Sequence, residues 1–196
     1  VFEEANGWAW VQLEVDDYVG YLPAAALGPR EPAATHRVTA LRTFVLPEAD
    51  IKAPPAAVPS LGARLAVEGA KGRLLRLAGG GYVPATHAAP LAELAADPVA
   101  VAARFLGTPY LWGGKTSLGL DCSGLVQIAL SAAGRACPRD SDMQAEAFGE
   151  PVPPGFDWQN LVRGDLLFWR GHVGIISAPG RLLHANAFHM EVVDEL

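Results

Sequence analysis

Gly119-Leu-Asp-Cys-Ser-Gly-Leu125 is the stretch on which the reading of this chain turns. Asp121 is a favoured helix cap. The apolar residues behind it (Leu125, Val126, Ile128, Ala129, Leu130 and Ala133) predict a buried helix that stops at Gly134. Cys122 therefore falls in the first turn of a helix, where free backbone N–H groups and the helix dipole favour a thiolate over the ordinary neutral thiol. Ser123 adds a second acceptor for those free donors. Cys137 has no such setting and reads as packing. The two cysteines form neither a Cys-x-x-Cys metal spacing nor a disulfide framework, and free thiols suit a reducing compartment.

Two histidines complete a candidate site. His172, in Arg170-Gly-His-Val-Gly-Ile175, opens a strand directly after a glycine, and His184 follows in Leu182-Leu-His-Ala-Asn186. Strands over 172–177 and 181–186, joined at Ala178-Pro179-Gly180, make a β-hairpin. Its register decides whether the imidazoles meet. With Pro179-Gly180 as a plain two-residue loop, His184 would face Ile175, on the opposite side of the sheet from His172. A three-residue loop, or a bulge, sets His184 opposite Gly174 and His172 opposite Asn186. The rings are then diagonal neighbours on one face, roughly 7–8 Å apart at the backbone. The predicted hairpin accordingly carries a three-residue loop or a bulge. His172 is the candidate base for the thiol and His184 its orienting partner, with Asn186 the rival for that second role. His36, His87 and His189 read as bystanders. Tyr110 and Trp112 lie in the tight loop Thr108-Pro-Tyr-Leu-Trp-Gly-Gly114. The Tyr110 hydroxyl is a candidate donor to a developing oxyanion, beside the Cys122 backbone N–H.

The rest of the chain sets the frame. At 196 residues, 51% hydrophobic and 18% charged, it is globular with room for a real core. A net charge of −6 without a Lys/Arg cluster argues against a nucleic-acid partner, and no apolar run is long enough to span a membrane. Residues 1 to about 92 read as short strands over 8–15, 18–22, 35–46, 64–67 and 82–84, with a Pro- and Ala-rich loop from Pro47 to Pro59. Tyr18-Val-Gly-Tyr-Leu-Pro-Ala24 is echoed by Gly81-Tyr-Val-Pro-Ala85, which predicts two small related barrels in tandem. Asp97-Pro98 then starts a helix that Gly107 closes. After the cysteine helix come strands over 165–169, 172–177, 181–186 and 190–193. Helix followed by meander is an α+β arrangement. The expected division is 1–30, 31–92 and 93–196. Val1 falls inside what reads as a strand, so more of the first domain, or a leader, is expected ahead of it. More sheet is expected beyond Leu196.

Five phrases in series carry a resemblance. They are Thr108-Pro-Tyr-Leu-Trp-Gly-Gly114, Asp121-Cys-Ser-Gly-Leu-Val-Gln127, Arg163-Gly-Asp-Leu-Leu-Phe-Trp169, Gly171-His-Val-Gly-Ile175 and Leu182-Leu-His-Ala185. Together they resemble the NlpC family of bacterial cell-wall cysteine peptidases, with a papain-like core. The strand-rich front half is similar to the bacterial SH3-like domains of one subgroup. That resemblance implies a γ-D-glutamyl-L-diamino acid endopeptidase, cutting the murein stem peptide after D-glutamate in fragments with a free N-terminal L-alanine. It implies Cys122 as nucleophile, His172 as base and His184 as orienting residue. Tyr18 would contact the substrate, Asp121 would pair with the alanine amine, and Ser123 and Ser141 would hydrogen-bond the peptide, with Trp112 beside them. No metal or organic cofactor is implied. The expected compartment is the cytoplasm, with the periplasm or export as alternatives. The rival functions are an exported lytic peptidase acting on intact wall, an acyltransferase on the same core, and a wall-peptide-binding module without catalysis.

Overall fold

The protein is described here from a computed structural model, over residues 1–30, 32–153 and 155–196. Glu31, at the expected boundary between the first two domains, lies outside the described residues. Strands β1 (Glu3–Ala5), β2 (Trp8–Gln12) and β3 (Val19–Pro23) form one antiparallel sheet in that order. Next come β4 (His36–Val38), β5 (Arg64–Leu65), β6 (Val67–Lys71), β7 (Leu74–Leu77), β8 (Tyr82–Pro84) and β9 (Ala88–Pro90). They make two further three-stranded sheets, ordered β5-β4-β9 and β6-β7-β8. Among the described residues no ladder closes these sheets into a barrel. The long strand expected over 35–46 shortens to β4. Beyond it the chain continues as isolated bridges to Ser60, Ala57 and Tyr82.

The sequence echo is structural. Both β3 and β8 end on a proline that leads into a single 3-10 turn, at Ala24–Ala26 and Ala85–His87. Pro23 (φ −57°, ψ 128°) and Pro84 (φ −58°, ψ 130°) have nearly the same backbone conformation. Proline's fixed φ sets the direction of the turn each time.

The second half holds α1 (Pro98–Ala103), the short pair β10 (Lys115–Thr116) and β11 (Gly119–Leu120), α2 (Cys122–Ala132) and α3 (Ser141–Phe148). A four-stranded meander of β12 (Leu166–Trp169), β13 (His172–Ala178), β14 (Arg181–Asn186) and β15 (Glu191–Glu195) completes it. Asp97 caps α1, accepting from the Val99 and Ala100 N–H groups, with Pro98 at the first helical position as expected. Every residue of α2 from Cys122 to Leu130 is buried. The helix packs on α1, β13 and β14 through Leu125, Val126, Ala129, Phe105, Val173, Ile175 and Leu183. Burying each large member of that set contributes roughly 1.5–3 kcal/mol, so the thiol rides on an element anchored in the core. Helix α3 was not anticipated. Its fully buried residue is the polar Gln144, so no apolar period announces it.

The hairpin that sets the histidines resolves to the bulge. Pro179-Gly180 is a two-residue turn, with Ala178 opposite Arg181. The register then shifts between Ile176 and Ala178, so Ile176 pairs with Leu182 and Ile175 with Leu183. Ser177 is the extra residue, and its hydroxyl donates to Asp194 Oδ1 on β15 at 2.8 Å. Without that bulge the two imidazoles would lie on opposite faces. Gly174 makes room on the shared face. A Cβ there would come within 2.6 Å of Leu182 Cδ1 and 3.3 Å of the His184 Cβ.

Candidate active site

Asp121 starts the site by capping α2, accepting from the Gly124 N–H at 2.8 Å. Cys122, the next residue, lies near the backbone N–H groups that begin α2 and that of Val173 on β13, all of which favour its charged form. Burial nevertheless pushes the thiol above its ordinary value. The pull of the Val173, Ser123 and Cys122 N–H groups only partly opposes that rise. The resting thiolate expected from the helix terminus alone is therefore corrected: at neutral pH Cys122 is a thiol, because desolvation outweighs the helix N-terminus.

On the sheet, His172 Nε2 and His184 Nδ1 are 2.9 Å apart, with the rings edge to face. Trp169, opposite His172 on β12, lies against it at 4.6 Å between ring centres. Burial, with the neighbouring His184 adding to it, brings His172 down to about 4. The imidazole is thus neutral across the physiological range. Because kcat/KM follows the free enzyme's base, its acid limb is expected near pH 4, not near the usual imidazole value of roughly 6.5. A pH–rate profile checks this, and a midpoint near 6.5 would contradict it. The same group adds stability that is full above the unfolded-state imidazole pKa and lost as pH falls towards about 4.

Behind the nucleophile sits an ion pair that the sequence reading missed. Arg139 Nη1 donates to Asp121 Oδ1 at 3.0 Å and Nη2 to Oδ2 at 2.9 Å. Arg139 also reaches the Ser123 hydroxyl and the Gly114 carbonyl. The two side chains are only 8% and 12% exposed. Asp121 also accepts from the Gly113 N–H and the Ser123 hydroxyl. Its two oxygens are saturated, and the Ser123 hydroxyl is committed to Asp121 and Arg139. The available signal was a buried capping carboxylate with one arginine nearby in sequence, in Pro138-Arg-Asp-Ser141.

A cavity of about 500 Å³ opens over the thiol. It gathers Tyr18, Tyr110, Trp112, Asp121, Cys122, Ser123 and Ser141 with Arg139, Asp140 and Asp142. All seven expected residues outside the histidine pair thus share one cleft, while His184 is buried in the sheet behind it. Tyr18 lies in the connection between β2 and β3 and donates to Asp140 Oδ2 at 3.0 Å. Burial raises its hydroxyl pKa, with the Asp140 contact adding to it. Asp140 stands at the N-cap of α3 but makes no cap bond. Nor is it in an ion pair among the described residues. The first sheet is held against the core by Asp16, which accepts from Gln127 Nε2 at 2.9 Å and pairs with Lys115. Asn186 and Glu195 complete the histidine cluster, both within hydrogen-bond distance of His184 Nε2. Among the described residues no group of three His, Cys, Asp or Glu is placed to hold a metal.

A thiol at the N-terminus of a core helix, set against a strand bearing paired imidazoles, defines the papain-like cysteine peptidase class. Comparison with known proteins narrows this. Residues 107–195 match the NlpC/P60 family, and residues 1–27 match the bacterial dipeptidyl-peptidase SH3 domain. Residues 107–195 thus carry the pattern of the NlpC/P60 family, a family of cysteine peptidases. A gamma-D-glutamyl-L-lysine dipeptidyl-peptidase of Bacillus subtilis (strain 168) is 37% identical over 115 residues, covering 53% of this chain and 37% of that protein. Dipeptidyl-peptidase 6 of Lysinibacillus sphaericus is 37% identical over 94 residues, covering 48% and 33%. The chain spans less than half the length of these curated relatives. A crystal structure of an NlpC/P60 family protein from Bacillus cereus ATCC 10987 shares the fold. Its TM-score is 0.80 at 21% identity, over 99% of this chain and 72% of that one.

Proposed function

We propose that this chain is an endopeptidase that hydrolyses the γ-D-glutamyl–L-diamino acid bond of released murein peptides carrying a free N-terminal L-alanine. The observation that carries the reading is the cleft itself: a nucleophile site whose lining also includes Tyr18 and Asp140. Asp121 is fully engaged with Arg139, which leaves Asp140 and Asp142 on the cleft; we assign the alanine ammonium to Asp140, the one steadied by the Tyr18 hydroxyl. His172 takes the thiol proton as the sulfur attacks the γ-carbonyl carbon. The Cys122 N–H and the Tyr110 hydroxyl receive the oxyanion. Collapse returns the proton to the departing diamino acid amine, and water, activated by the same imidazole, releases the acyl group. The substrate is a soluble fragment, and the free thiols fit its turnover in a reducing cytoplasm.

The test is the rate on L-Ala-γ-D-Glu-diaminopimelate against the same peptide acetylated at its amine. Acetylation leaves a desolvated carboxylate unpaired and should lower kcat/KM by about 10–100-fold. Asp140→Asn should narrow that difference. Equal rates on both peptides would refute the amine requirement.

A further inference from the structure

The histidine pair has two possible proton arrangements, and only one makes His172 a base. His184 Nε2 lies 2.8 Å from Glu195 Oε1 and 2.9 Å from Asn186 Nδ2. The Asn186 amide is fixed in orientation, because its Oδ1 accepts from the His189 N–H at 2.7 Å. Its nitrogen therefore offers His184 Nε2 a donor, whereas Glu195 offers an acceptor. One ring nitrogen cannot satisfy both. If His184 Nε2 carries its proton towards Glu195, then Nδ1 is the lone pair and accepts from His172 Nε2–H. His172 Nδ1 is left unprotonated and free to take the thiol proton. If instead Asn186 donates to His184 Nε2, every proton in the chain reverses. His172 Nδ1 then carries hydrogen and has no lone pair to offer a thiol proton.

We propose that Glu195 is a positioning residue that selects the productive tautomer of both histidines against the competing donor Asn186. This deepens the proposed function and rests on the assignment of His172 as base. The carboxylate is held from its other side by His189 Nε2, 3.0 Å from Oε2. It thus makes two bonds to imidazoles, and Asn186 Nδ2 stands 3.5 Å from Oε1. As the thiol S–H bond breaks and its proton joins His172 Nδ1, positive charge grows on His172. Glu195 favours that charge through His184 without taking a proton itself. The sulfur's electron pair goes to the substrate carbonyl carbon, so the relay ends the cycle as it began.

The experiment uses the full chain with ¹⁵N-labelled histidine. Long-range ¹H–¹⁵N spectra report which nitrogen of each ring carries hydrogen. The wild type should show both His172 and His184 protonated at Nε2, and Glu195→Ala should switch both to Nδ1. Its kcat on the alanyl-glutamyl-diaminopimelate peptide should fall about 10–100-fold with KM within about twofold. Removing the competitor as well, in Glu195→Ala/Asn186→Ala, should return part of both the tautomer and the rate, an outcome that lost packing would not produce. Glu195 is half-exposed, so the single variant is expected to fold and carries the tautomer test alone if the double variant does not. Unchanged tautomers in Glu195→Ala, or a wild type protonated at Nδ1, would overturn the proposal. A wild type with the expected tautomers that leaves the peptide intact would refute the substrate reading instead.

Discussion

Cys122→Ala is expected to lower kcat by on the order of a million-fold, the scale of losing the nucleophile from a site whose groups act as a unit. The fold should barely register the change. The sulfur is a small buried atom in the first turn of α2, and alanine keeps the Cβ and the helical backbone. Leu125, Val126 and Ala129 still hold the helix on the sheet. Paired measurement of peptide cleavage and thermal melting separates the two quantities. Residual activity within about a hundredfold of wild type would show that another group performs the attack.

Arg139→Met should do the reverse, striking the scaffold first. The variant leaves Asp121 buried with only backbone N–H groups and the Ser123 hydroxyl to meet its charge. Removing one partner of a buried pair costs about 3–5 kcal/mol. For a chain of this size that lowers Tm by about 10 °C. Activity should fall as well, because Asp121 caps the helix that carries the thiol and Arg139 also binds the Gly114 carbonyl beneath it. Asp121→Asn/Arg139→Met should recover part of the lost stability, since no unpaired charge then remains. A single variant melting within about 2 °C of wild type would contradict the account.

The places where sequence reasoning succeeded and failed follow from what each signal encodes. Cys122 was legible because a cap, a reactive side chain and an apolar helix period fall in one short stretch. The histidine pair was legible because strand parity is strict: only a bulge or an odd loop could join them, and the bulge at Ser177 did so. Glu195 obeys the same parity. His184 pairs with Val193, and Glu195 lies two residues further along the same face of β15. It went unseen because the last strand was ended at Val193, where apolar residues stop. Arg139 and Asp140 come from the segment leading into α3, whose buried anchor is Gln144, donating to the Ser123 and Pro138 carbonyls. A helix anchored by polar contacts has no hydrophobic period to betray it. The thiol's resting state was misjudged for a different reason: sequence shows the helix terminus but not the depth of burial that outweighs it.

The most direct test of the central claim is intact-protein mass spectrometry on acid-quenched mixtures of enzyme with L-Ala-γ-D-Glu-diaminopimelate, followed by peptide mapping. The account predicts a transient mass gain equal to the alanyl-glutamyl acyl group, located on Cys122 and lost as diaminopimelate is released. Cleavage without any adduct at single-turnover times, or an adduct at Cys137, would contradict it.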